Sequence, residues 1–514
     1  GGDMSNSANW NINSNWSVTG GLATANGSSS ADINQANNLP NVGTTYRVTY
    51  TITAYTSGQF KVAYGGVSTP LKNTIGTHVD DIVAVSTDRV RLGGVSPFGS
   101  VDNLSIKEVI GSGDFTFTRA SEATRLVDGV VTKVRTNSLT YSNDFSNAVW
   151  VKAGGATVAS GQADKDGGTD AWLLEAPSAV TSSSISNILS SSDTQVFSVY
   201  AKAGTTDWIR LNLSGLGNQY FDVANGVVGT SGSIDGSITD AGGGWYRCSV
   251  FGNGASTSNW VFLASADGNV TVADGDNAII QNTQAEQGLV ATDYIATTTV
   301  AVSEGPVANM PRLNSVAGGC PALLLEPQRT NSLTQSEAFS QWTLEGSASL
   351  TSNAIASPDG YVNAAKLIAG ASSARQATKL ADTSTGALAY SVYAKKGEYS
   401  VIQFTDAESG TMYANFDLDA GVIGGYAATT PLIESAGNGW YRCSMTYTAG
   451  ATVNAMRVSI AESPTQARLV TFAGNGTDGI YIYGAQLEAD SYATSYIPTY
   501  GTAATRVKET ATKS

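Results

Sequence analysis

The chain has 514 residues, of which 14% are charged, and its net charge at pH 7 is −14. An acidic chain of this kind lacks the basic stripes that hold phosphates, which excludes nucleic acid as a partner. A single histidine, His78, excludes multi-histidine metal centres, three cysteines exclude a disulfide-dense scaffold, and no apolar run reaches the ~18 residues of a membrane-spanning helix.

Short runs in which polar and apolar residues alternate recur along the whole chain, and helical periodicity is nearly absent. Clear examples are residues 46–53, 197–202 and 390–395. Alternation with a period of two predicts half-buried antiparallel strands. Frequent Asn-Gly and Asp-Gly pairs predict tight turns between them. The sequence therefore predicts an all-β protein of antiparallel β-sandwiches, with His78 in a loop.

A long internal duplication covers most of the chain after the first hundred residues. Residues 135–140 (RTNSLT) recur at 329–334, and residues 244–249 (GWYRCS) recur at 439–444. The separation between equivalent residues is 194 at the start, 195 in the middle and 202 near the end, which places about seven extra residues in one late loop of the second copy. Units of this size exceed solenoid repeats and suit whole sandwich domains.

The duplication divides the chain into modules and connectors. The predicted organisation is a divergent β-sandwich at 1–110, a β-hairpin connector at 111–134, a β-sandwich at 135–300, a second connector at 301–328, a β-sandwich at 329–503 and a C-terminal tail at 504–514. Within the connectors, Asp128-Gly129 predicts the hairpin turn, and the apolar residues 322–325 predict a buried strand.

The connector phrases resemble those of tailed-bacteriophage fibre, tail and head-fibre proteins. The phrases are residues 117–125 (FTRASEATR), 323–331 (LLLEPQRTN) and 486–499. In such proteins they flank modules similar to carbohydrate-binding-module jelly rolls. The resemblance implies tandem jelly-roll β-sandwiches, binding of host or environmental glycans, other virion proteins as partners, a homotrimer, and a place on the virion surface after assembly in the host cytoplasm. It assigns no site residue.

Aromatic residues that differ between the two copies are the candidate ligand contacts. Exposed rings beside Asp, Asn and Ser can form a platform for sugars by stacking and hydroxyl bonding. The alternative is ordinary packing within strands or interfaces. The candidates are Trp208, Tyr220 and Trp260 in the first copy and Tyr399, Tyr413 and Tyr426 in the second.

The repeated GWYRCS strand separates into two faces. Alternation places Cys248 toward the core, together with its equivalent Cys443, and places Trp245 and Arg247 on the opposite face. That opposite face suits sugar stacking, or else an arginine packed on an aromatic ring closes the sheet. All three cysteines are expected to be free thiols, because Cys248 and Cys443 lie in separate modules and Cys320 lies in a connector.

Acidic clusters are the candidates for hydrolase and cation sites. Asp406 with Glu408, and Asp417 with Asp419, have no matched partners in the first copy and are interpreted as loop acids, so no catalytic residue is assigned. The Asp-rich turns at 164–167 and 273–276 are interpreted as surface turns, with a structural Ca²⁺ as the alternative. No other cofactor and no membrane insertion is expected.

These observations predict a non-catalytic phage virion surface protein, a fibre or adhesin that binds glycans. One alternative is a structural head-fibre or capsid decoration protein that binds no glycan. A second alternative is a tailspike depolymerase, against which the single histidine and the unmatched acids count.

Overall fold

The computed structural model describes residues 10–27, 32–35, 39–109, 115–315, 319–382, 384–406, 410–450 and 454–513. Strands dominate these residues, and their one helical element is the 3₁₀ turn Phe339–Gln341. The predicted all-β class is confirmed. The chain separates into two compact units, residues 1–116 with 512–514 and residues 117–511, which are described in turn.

The described residues of the first unit form one sheet of eight strands. Its strands are β1 (Trp10–Asn11), β2 (Trp16–Thr19), β3 (Leu22–Asn26), β4 (Ile33–Gln35), β5 (Thr45–Tyr64), β6 (Val67–Ser68), β7 (Gly76–Val83) and β8 (Arg91–Val109). They follow the path β1-β4-β8-β3-β2, with β5 paired to β6, β7 and β8. His78 lies on β7, so the predicted loop position is wrong, because β7 pairs with β5 through that residue.

The two longest strands, β5 and β8, hold the first unit together. They pair along most of their length, with four register shifts between Thr49 and Gln59. A Cβ atom at Gly94 would lie 1.7 Å from the carbonyl oxygen of Gln59, so this close approach requires glycine. The strands β1–β8 lie within the predicted module 1–110, whose relation to the two sandwiches stays a prediction.

The next part of the chain contains the first connector and the first sandwich. The short strands before the sandwich are β9 (Phe115–Thr118), β10 (Arg125–Val127), β11 (Val130–Thr132) and β12 (Arg135–Asn137). The sandwich strands are β13 (Trp150–Ala153), β14 (Thr157–Gln162), β15 (Ala171–Ala176), β16 (Ser184–Asn187), β17 (Thr194–Ala203), β18 (Trp208–Leu213), β19 (Gly217–Asp222), β20 (Val227–Gly232), β21 (Asp235–Gly242), β22 (Trp245–Asn253), β23 (Asn259–Ala264) and β24 (Asp276–Gln287).

The second connector, the second sandwich and the C-terminal tail follow. The connector strands are β25 (Val302–Glu304), β26 (Arg312–Asn314), β27 (Ala322–Leu324) and β28 (Arg329–Asn331). The sandwich strands are β29 (Thr343–Gly346), β30 (Ser349–Ile355), β31 (Ala364–Ile368), β32 (Gln376–Asp382), β33 (Gly386–Lys396), β34 (Val401–Asp406), β35 (Tyr413–Asp417), β36 (Val422–Ala427), β37 (Thr430–Ser435), β38 (Trp440–Ala449), β39 (Asn454–Ala461) and β40 (Gly479–Ala489). The tail strands are β41 (Ala504–Arg506) and β42 (Thr510–Lys513).

The two sandwiches have the same topology. In the first, the front sheet has the order β13-β16-β23-β18-β19-β20 and the back sheet the order β14-β15-β24-β17-β22-β21. In the second, the front sheet is β29-β32-β39-β34-β35-β36 and the back sheet is β30-β31-β40-β33-β38-β37. Each strand thus occupies the place of its counterpart. These strands lie within the predicted modules 135–300 and 329–503, whose boundaries stay predictions.

Each sandwich buries one face of both sheets, as strand alternation requires. On β18, Ile209, Leu211 and Leu213 are fully buried, and the residues between them face outward. Cys248 and Cys443 lie fully buried at equivalent positions in the two cores, as predicted, and all three cysteines of the chain are free. The other face of each sheet points away from the core.

The repeated RTNSLT phrase is part of the scaffold. Fully buried Asn137 donates from its amide nitrogen to the carbonyl oxygens of Thr283 at 3.1 Å and Ile295 at 2.8 Å. Its amide oxygen accepts two backbone N–H groups, both at 3.2 Å. Asn331 repeats all four bonds in the second sandwich. The phrase therefore ties the entry of each sandwich to its last strand.

Buried ion pairs join the connectors and the tail. The side chains of Arg119, Arg312 and Arg506 are completely buried. Arg119 and Arg312 each contact Glu509 of the tail at 2.7 Å. Glu326 lies 2.7 Å from Arg312 and 3.0 Å from Arg506. The two connectors and the tail therefore form one interlocked layer.

One connector hairpin matches its prediction and the other differs in burial. β10 and β11 pair around the Asp128-Gly129 turn, as predicted. β26 and β27 also pair, but Leu323 and Leu325 are 40% and 46% exposed. The predicted burial of residues 322–325 is wrong, because these leucines lie on a two-stranded ribbon that leaves them open to solvent.

Candidate functional site

The outer face of the front sheet in the first sandwich carries a group of aromatic rings. Because Ile209 and Leu211 on β18 point into the core, their neighbours point outward, and the same alternation applies on β19 and β23. We call this surface the aromatic face. It consists of Trp208, Arg210, Asn212, Tyr220, Trp260 and Phe262.

Three adjacent strands bring these side chains together. Arg210 on β18 pairs in register with Phe262 on β23 and with Tyr220 on β19. Trp208 and Trp260 flank this row on opposite sides, on β18 and β23. The structure therefore places the three first-copy residues predicted from sequence, Trp208, Tyr220 and Trp260, on one face.

The rings of the aromatic face contact one another directly. Trp260 and Phe262 stack with ring centroids 5.5 Å apart and an interplanar angle of 18°. The guanidinium carbon of Arg210 lies 3.8 Å from the Phe262 centroid and 5.8 Å from the Tyr220 centroid. Sequence reasoning missed Arg210 and Phe262. The alternation of β18 and β23 around Trp208 and Trp260 is the signal that would have included them.

The members of the face differ in exposure. Trp208, Arg210, Trp260 and Phe262 are partly exposed. Tyr220 is only 7% exposed. Its ring therefore supports Arg210 from one side and offers a ligand little surface, which differs from the platform role predicted for it.

Polar groups lie around the rings. The Nε of Arg210 and the Oγ of Ser184, on the neighbouring strand β16, are buried without a hydrogen-bond partner. At the other end of the face, a Cβ atom at Gly229 would lie 2.5 Å from both the Trp208 ring and Asp267. Glycine at this position leaves room for the indole beside a carboxylate. The aromatic face thus has the guanidinium of Arg210 at its centre and the carboxylate of Asp267 at its edge.

The equivalent surface of the second sandwich has no aromatic ring at these six positions and is mostly polar. In the order used for the aromatic face, its residues are Val401, Gln403, Thr405, Asn415, Arg457 and Ser459. Arg457, which replaces Trp260, forms two hydrogen bonds with Glu345, at 2.5 and 3.0 Å. The two sandwiches therefore share a topology but carry different outer faces.

A longer loop covers the polar face of the second sandwich. Residues 462–478 connect β39 to β40, where residues 265–275 suffice in the first sandwich. Gln403 donates to a backbone oxygen of this loop at 3.1 Å and accepts a backbone N–H at 2.7 Å, and Asn415 donates to the carbonyl of Gln466 at 2.7 Å. This loop lies late in the second copy, where the growing separation between equivalent residues predicts extra residues.

The three candidate tyrosines of the second copy lie in different surroundings. Tyr399 precedes β34 and packs against the core, with its ring 5.6 Å from Phe472. Tyr413 begins β35 and is partly exposed. Tyr426 lies on the edge strand β36 and is 55% exposed. They form no row comparable to that of the aromatic face.

The acidic pairs have local roles where the structure describes them. Asp406 is 2% exposed at the end of β34, and Glu408 lies outside the described residues. Asp417 accepts the backbone N–H of Asp419 at 2.9 Å and so caps the turn after β35. Neither pair is placed on the aromatic face.

The two Asp-rich turns also satisfy their own carboxylates. Asp164 accepts the backbone N–H groups of Asp166 and Gly168, both at 2.8 Å. Asp276 accepts the backbone N–H of Ala273 at 2.7 Å. Across the part of the chain that the structure describes, no three His, Cys, Asp or Glu side chains are arranged to hold a metal ion.

The tryptophan of the GWYRCS strand closes the back sheet. Trp245 and its equivalent Trp440 are each 2% exposed. Arg247 lies 5.2 Å from the Tyr200 ring centroid and donates to Ser198 at 3.1 Å. The arrangement corresponds to the alternative in which an arginine packs on an aromatic ring and the sheet is closed.

Comparisons with known proteins add little to this picture. No family model matches the chain, and no curated protein matches it. Among solved structures, the N-terminal CBM22-1-CBM22-2 tandem domain of Xyn10C from Paenibacillus barcinonensis is similar over 72% of this chain and 98% of that chain, with 14% identity and a TM-score of 0.20. Among the described residues, no helix has the length and apolar character to cross a bilayer. The function must therefore be inferred from the chain's own residues.

Proposed function

We propose that the protein binds glycans, without cleaving them, through the aromatic face of its first sandwich. The observation that carries the proposal is the grouping of partly exposed Trp208 and Trp260 with Arg210 on adjacent strands. Stacking a sugar ring on an indole removes apolar C–H surface from water, at roughly 25 cal/mol per Å². Hydroxyl bonds to the guanidinium and the carboxylate at the rim then set orientation more than affinity.

The ligand of this face is a chain of sugars rather than one sugar. Trp208 and Asn212 are four residues apart on β18, and Trp260 is paired with Asn212 on the next strand. A rise of ~3.4 Å per residue and a strand spacing of ~4.8 Å place the Cα atoms of Trp208 and Trp260 about 14 Å apart. One sugar ring does not span this distance, whereas a linear oligosaccharide lying along β18 contacts both indoles.

The proposed setting is the surface of a tailed-phage virion, as a fibre or adhesin assembled in the host cytoplasm. The resemblance of the connector phrases to those of phage fibre and head-fibre proteins supports this setting. It also supports a homotrimer and other virion proteins as partners. A structural head-fibre or decoration role is the second candidate, because the second sandwich covers its own front face with residues 462–478.

A glycan array separates these functions. The full chain is labelled and applied to bacterial surface polysaccharides, and each polysaccharide that binds is then incubated with the protein and assayed for new reducing ends. We expect binding to one class of polysaccharide without reducing-end release. Absence of binding across the array would favour the structural role, and release of reducing ends would establish a depolymerase. Light scattering tests the trimer, since a 53.0 kDa species alone would contradict it.

A further inference from the structure

A lysine and two carboxylates are buried together where the first connector meets the second sandwich. The side chains of Glu337 and Asp359 are 1% and 2% exposed, and that of Lys133 is 11% exposed. The Nζ of Lys133 lies 2.8 Å from Glu337 Oε1 and 2.8 Å from Asp359 Oδ2. Three charged groups that are far apart in sequence therefore share one site.

The site is enclosed by tyrosines. Tyr483 is fully buried and Tyr496 is 1% exposed, and both belong to a cluster that also includes Val131 of the connector hairpin. The Tyr483 hydroxyl lies 3.0 Å from Glu337 Oε1 and 2.8 Å from Asp359 Oδ2, so it bridges the two carboxylates. Exclusion of water strengthens every electrostatic interaction in such a site.

The two oxygens of Asp359 have different partners. Oδ1 accepts hydrogen bonds from the Ser357 hydroxyl at 2.7 Å and from the backbone N–H of Tyr361 at 3.0 Å. Oδ2 faces Lys133 and also accepts from the amide of Asn363 at 2.9 Å. Two donors are therefore aimed at one oxygen, as in an oxyanion hole, while the other oxygen faces the amine.

We propose that Lys133 and Asp359 condense into an isopeptide bond, with Glu337 as the proton relay. A proton passes from Nζ to Oδ2, and the neutral amine attacks Cγ, forming the C–N bond. The negative charge that develops on Oδ1 is held by Ser357 and Tyr361. Glu337 takes a proton from the nitrogen and returns it, through the Tyr483 hydroxyl, to Oδ2. The C–Oδ2 bond then breaks, and one water molecule leaves.

The step is balanced and needs no other reactant. An ammonium and a carboxylate become an amide and one water, and Glu337 ends in the state in which it began. A cavity of about 150 Å³ lined by Lys133, Glu337 and Asp359 adjoins the site and can receive the water. Because the fold already holds the amine and the carboxylate in contact, no diffusional encounter is needed. Well-oriented intramolecular reactions reach effective concentrations of about 10⁵–10⁸ M.

The condensation starts from an ion pair. Burial alone would lower the pKa of Lys133, but the two carboxylates outweigh burial and hold it well above its ordinary value. Burial would raise the pKa of Asp359, but Lys133 holds it at about 2. The ion pair therefore predominates. One proton transfer along the 2.8 Å contact from Lys133 Nζ to Asp359 Oδ2 gives the neutral pair. Burial favours this transfer, because burial disfavours the two charges that the transfer removes.

The first sandwich shows that these groups are not a general requirement of the fold. The shared Phe-Ser dipeptides at Phe145 and Phe339 align Asn143 with Glu337. Asn143 donates to the backbone oxygen of Asp170 at 3.0 Å. At this position the first sandwich therefore has an amide in place of the carboxylate of Glu337. The lysine and carboxylate site is therefore particular to the second sandwich, where it joins residues 226 positions apart in the chain.

Mass spectrometry of the intact full chain tests the proposal. We expect a species lighter than the sequence by one water molecule, and a digest in which the peptides containing Lys133 and Asp359 are covalently joined. Lys133→Arg keeps the charge but has no amine that can be acylated at neutral pH in this way, and it should restore the full mass. Glu337→Gln removes the relay and should leave most of the chain at full mass.

Two results would overturn the proposal. One is a parent chain of full mass with no joined peptide. The other is a parent chain whose water loss maps by digestion to a succinimide at Asp359-Gly360 or another Asp-Gly pair and persists in Lys133→Arg, because that product has the same mass as the crosslinked chain. If Lys133→Arg does not fold, the joined peptide of the parent decides the question alone.

Discussion

The guanidinium carbon of Arg210 lies 3.8 Å from the centroid of the Phe262 ring on the neighbouring strand. The Tyr220 ring lies on the other strand beside Arg210, 5.8 Å from the same carbon. A planar cation between two rings is held by cation–π attraction and by stacking. The contacts of Arg210 with these two rings therefore fix the middle of the aromatic face, between Trp208 and Trp260.

Replacing Arg210 by lysine should weaken glycan binding although the charge is kept. An ammonium on a flexible stem does not fill the space of a stacked guanidinium, so Phe262 and Tyr220 lose their common support. We expect affinity to fall about tenfold, which corresponds to ~1.4 kcal/mol. Calorimetry with a polysaccharide from the array measures this. Equal affinity for the parent and Arg210→Lys, with unchanged folding, would show that the charge alone matters.

The buried ion pairs of the connectors should make stability fall in acid. Burial would raise the pKa of Glu509, but hydrogen bonds from Arg312 and Arg119 outweigh burial and hold it below its ordinary value of 4.5. The folded state therefore binds this proton less readily than the unfolded chain. The stabilisation is present above pH ~4.5 and is lost as pH falls through the lower folded pKa.

Glu509→Gln should remove this contribution at neutral pH. Breaking a buried pair leaves an unpaired charge and costs about 3–5 kcal/mol. Urea unfolding followed by fluorescence at pH 7 and pH 4 should show a weakened variant whose stability depends less on pH than that of the parent. Glu304→Gln is the control, because its side chain is 56% exposed. A Glu509→Gln variant as stable as the parent would contradict the account of the connectors.

Asn137→Ala and Asn331→Ala should destabilise the protein by similar amounts. Each change removes four buried hydrogen bonds and leaves backbone groups unpaired, which costs at least about 3 kcal/mol. Thr330→Ala, at an exposed position beside Asn331, should change stability by less than about 1 kcal/mol. Differential scanning calorimetry checks these values. A small effect in either asparagine variant would mean that the repeated phrase has a role outside the scaffold.

The three cysteines should differ sharply in reactivity. Burial raises the pKa of the Cys248 and Cys443 thiols well above the ordinary value, whereas Cys320 is exposed. A disulfide reagent such as dithionitrobenzoate should therefore titrate one thiol in the native protein and three in denaturant. Rapid reaction of two or more thiols in the native protein would contradict the buried positions of the core cysteines.

Much of the fold follows from local pattern. Alternation predicts the strands of both sandwiches, and the duplicated phrases predict that the sandwiches match, because each phrase makes the same contacts in its own copy. The first unit was harder to predict. Its long strands β5 and β8 pair with repeated register shifts, and nothing in the alternation of either strand alone specifies those shifts.

The candidate site was predictable only in part. Trp208 and Trp260 are conspicuous because they differ between copies, and alternation puts them on outward faces. The contact of Arg210 with Phe262 depends on strand pairing, which the sequence does not state. The burial of Tyr220 follows from the side chain packed over it. In the same way, the meeting of Lys133 with Asp359 depends on how a connector folds onto a distant module.

The central claim is that the aromatic face of the first sandwich holds the glycan. The most direct test is a calorimetric titration of the array-selected polysaccharide into the parent, the double variant Trp208→Ala/Trp260→Ala, and Tyr426→Ala. Each lost indole should cost about 1–3 kcal/mol, so the double variant should bind at least about thirtyfold more weakly. Tyr426→Ala should bind like the parent, because Tyr426 lies on the edge strand of the second sandwich. Parent-like binding by the folded double variant, or loss of binding in Tyr426→Ala, would contradict the claim.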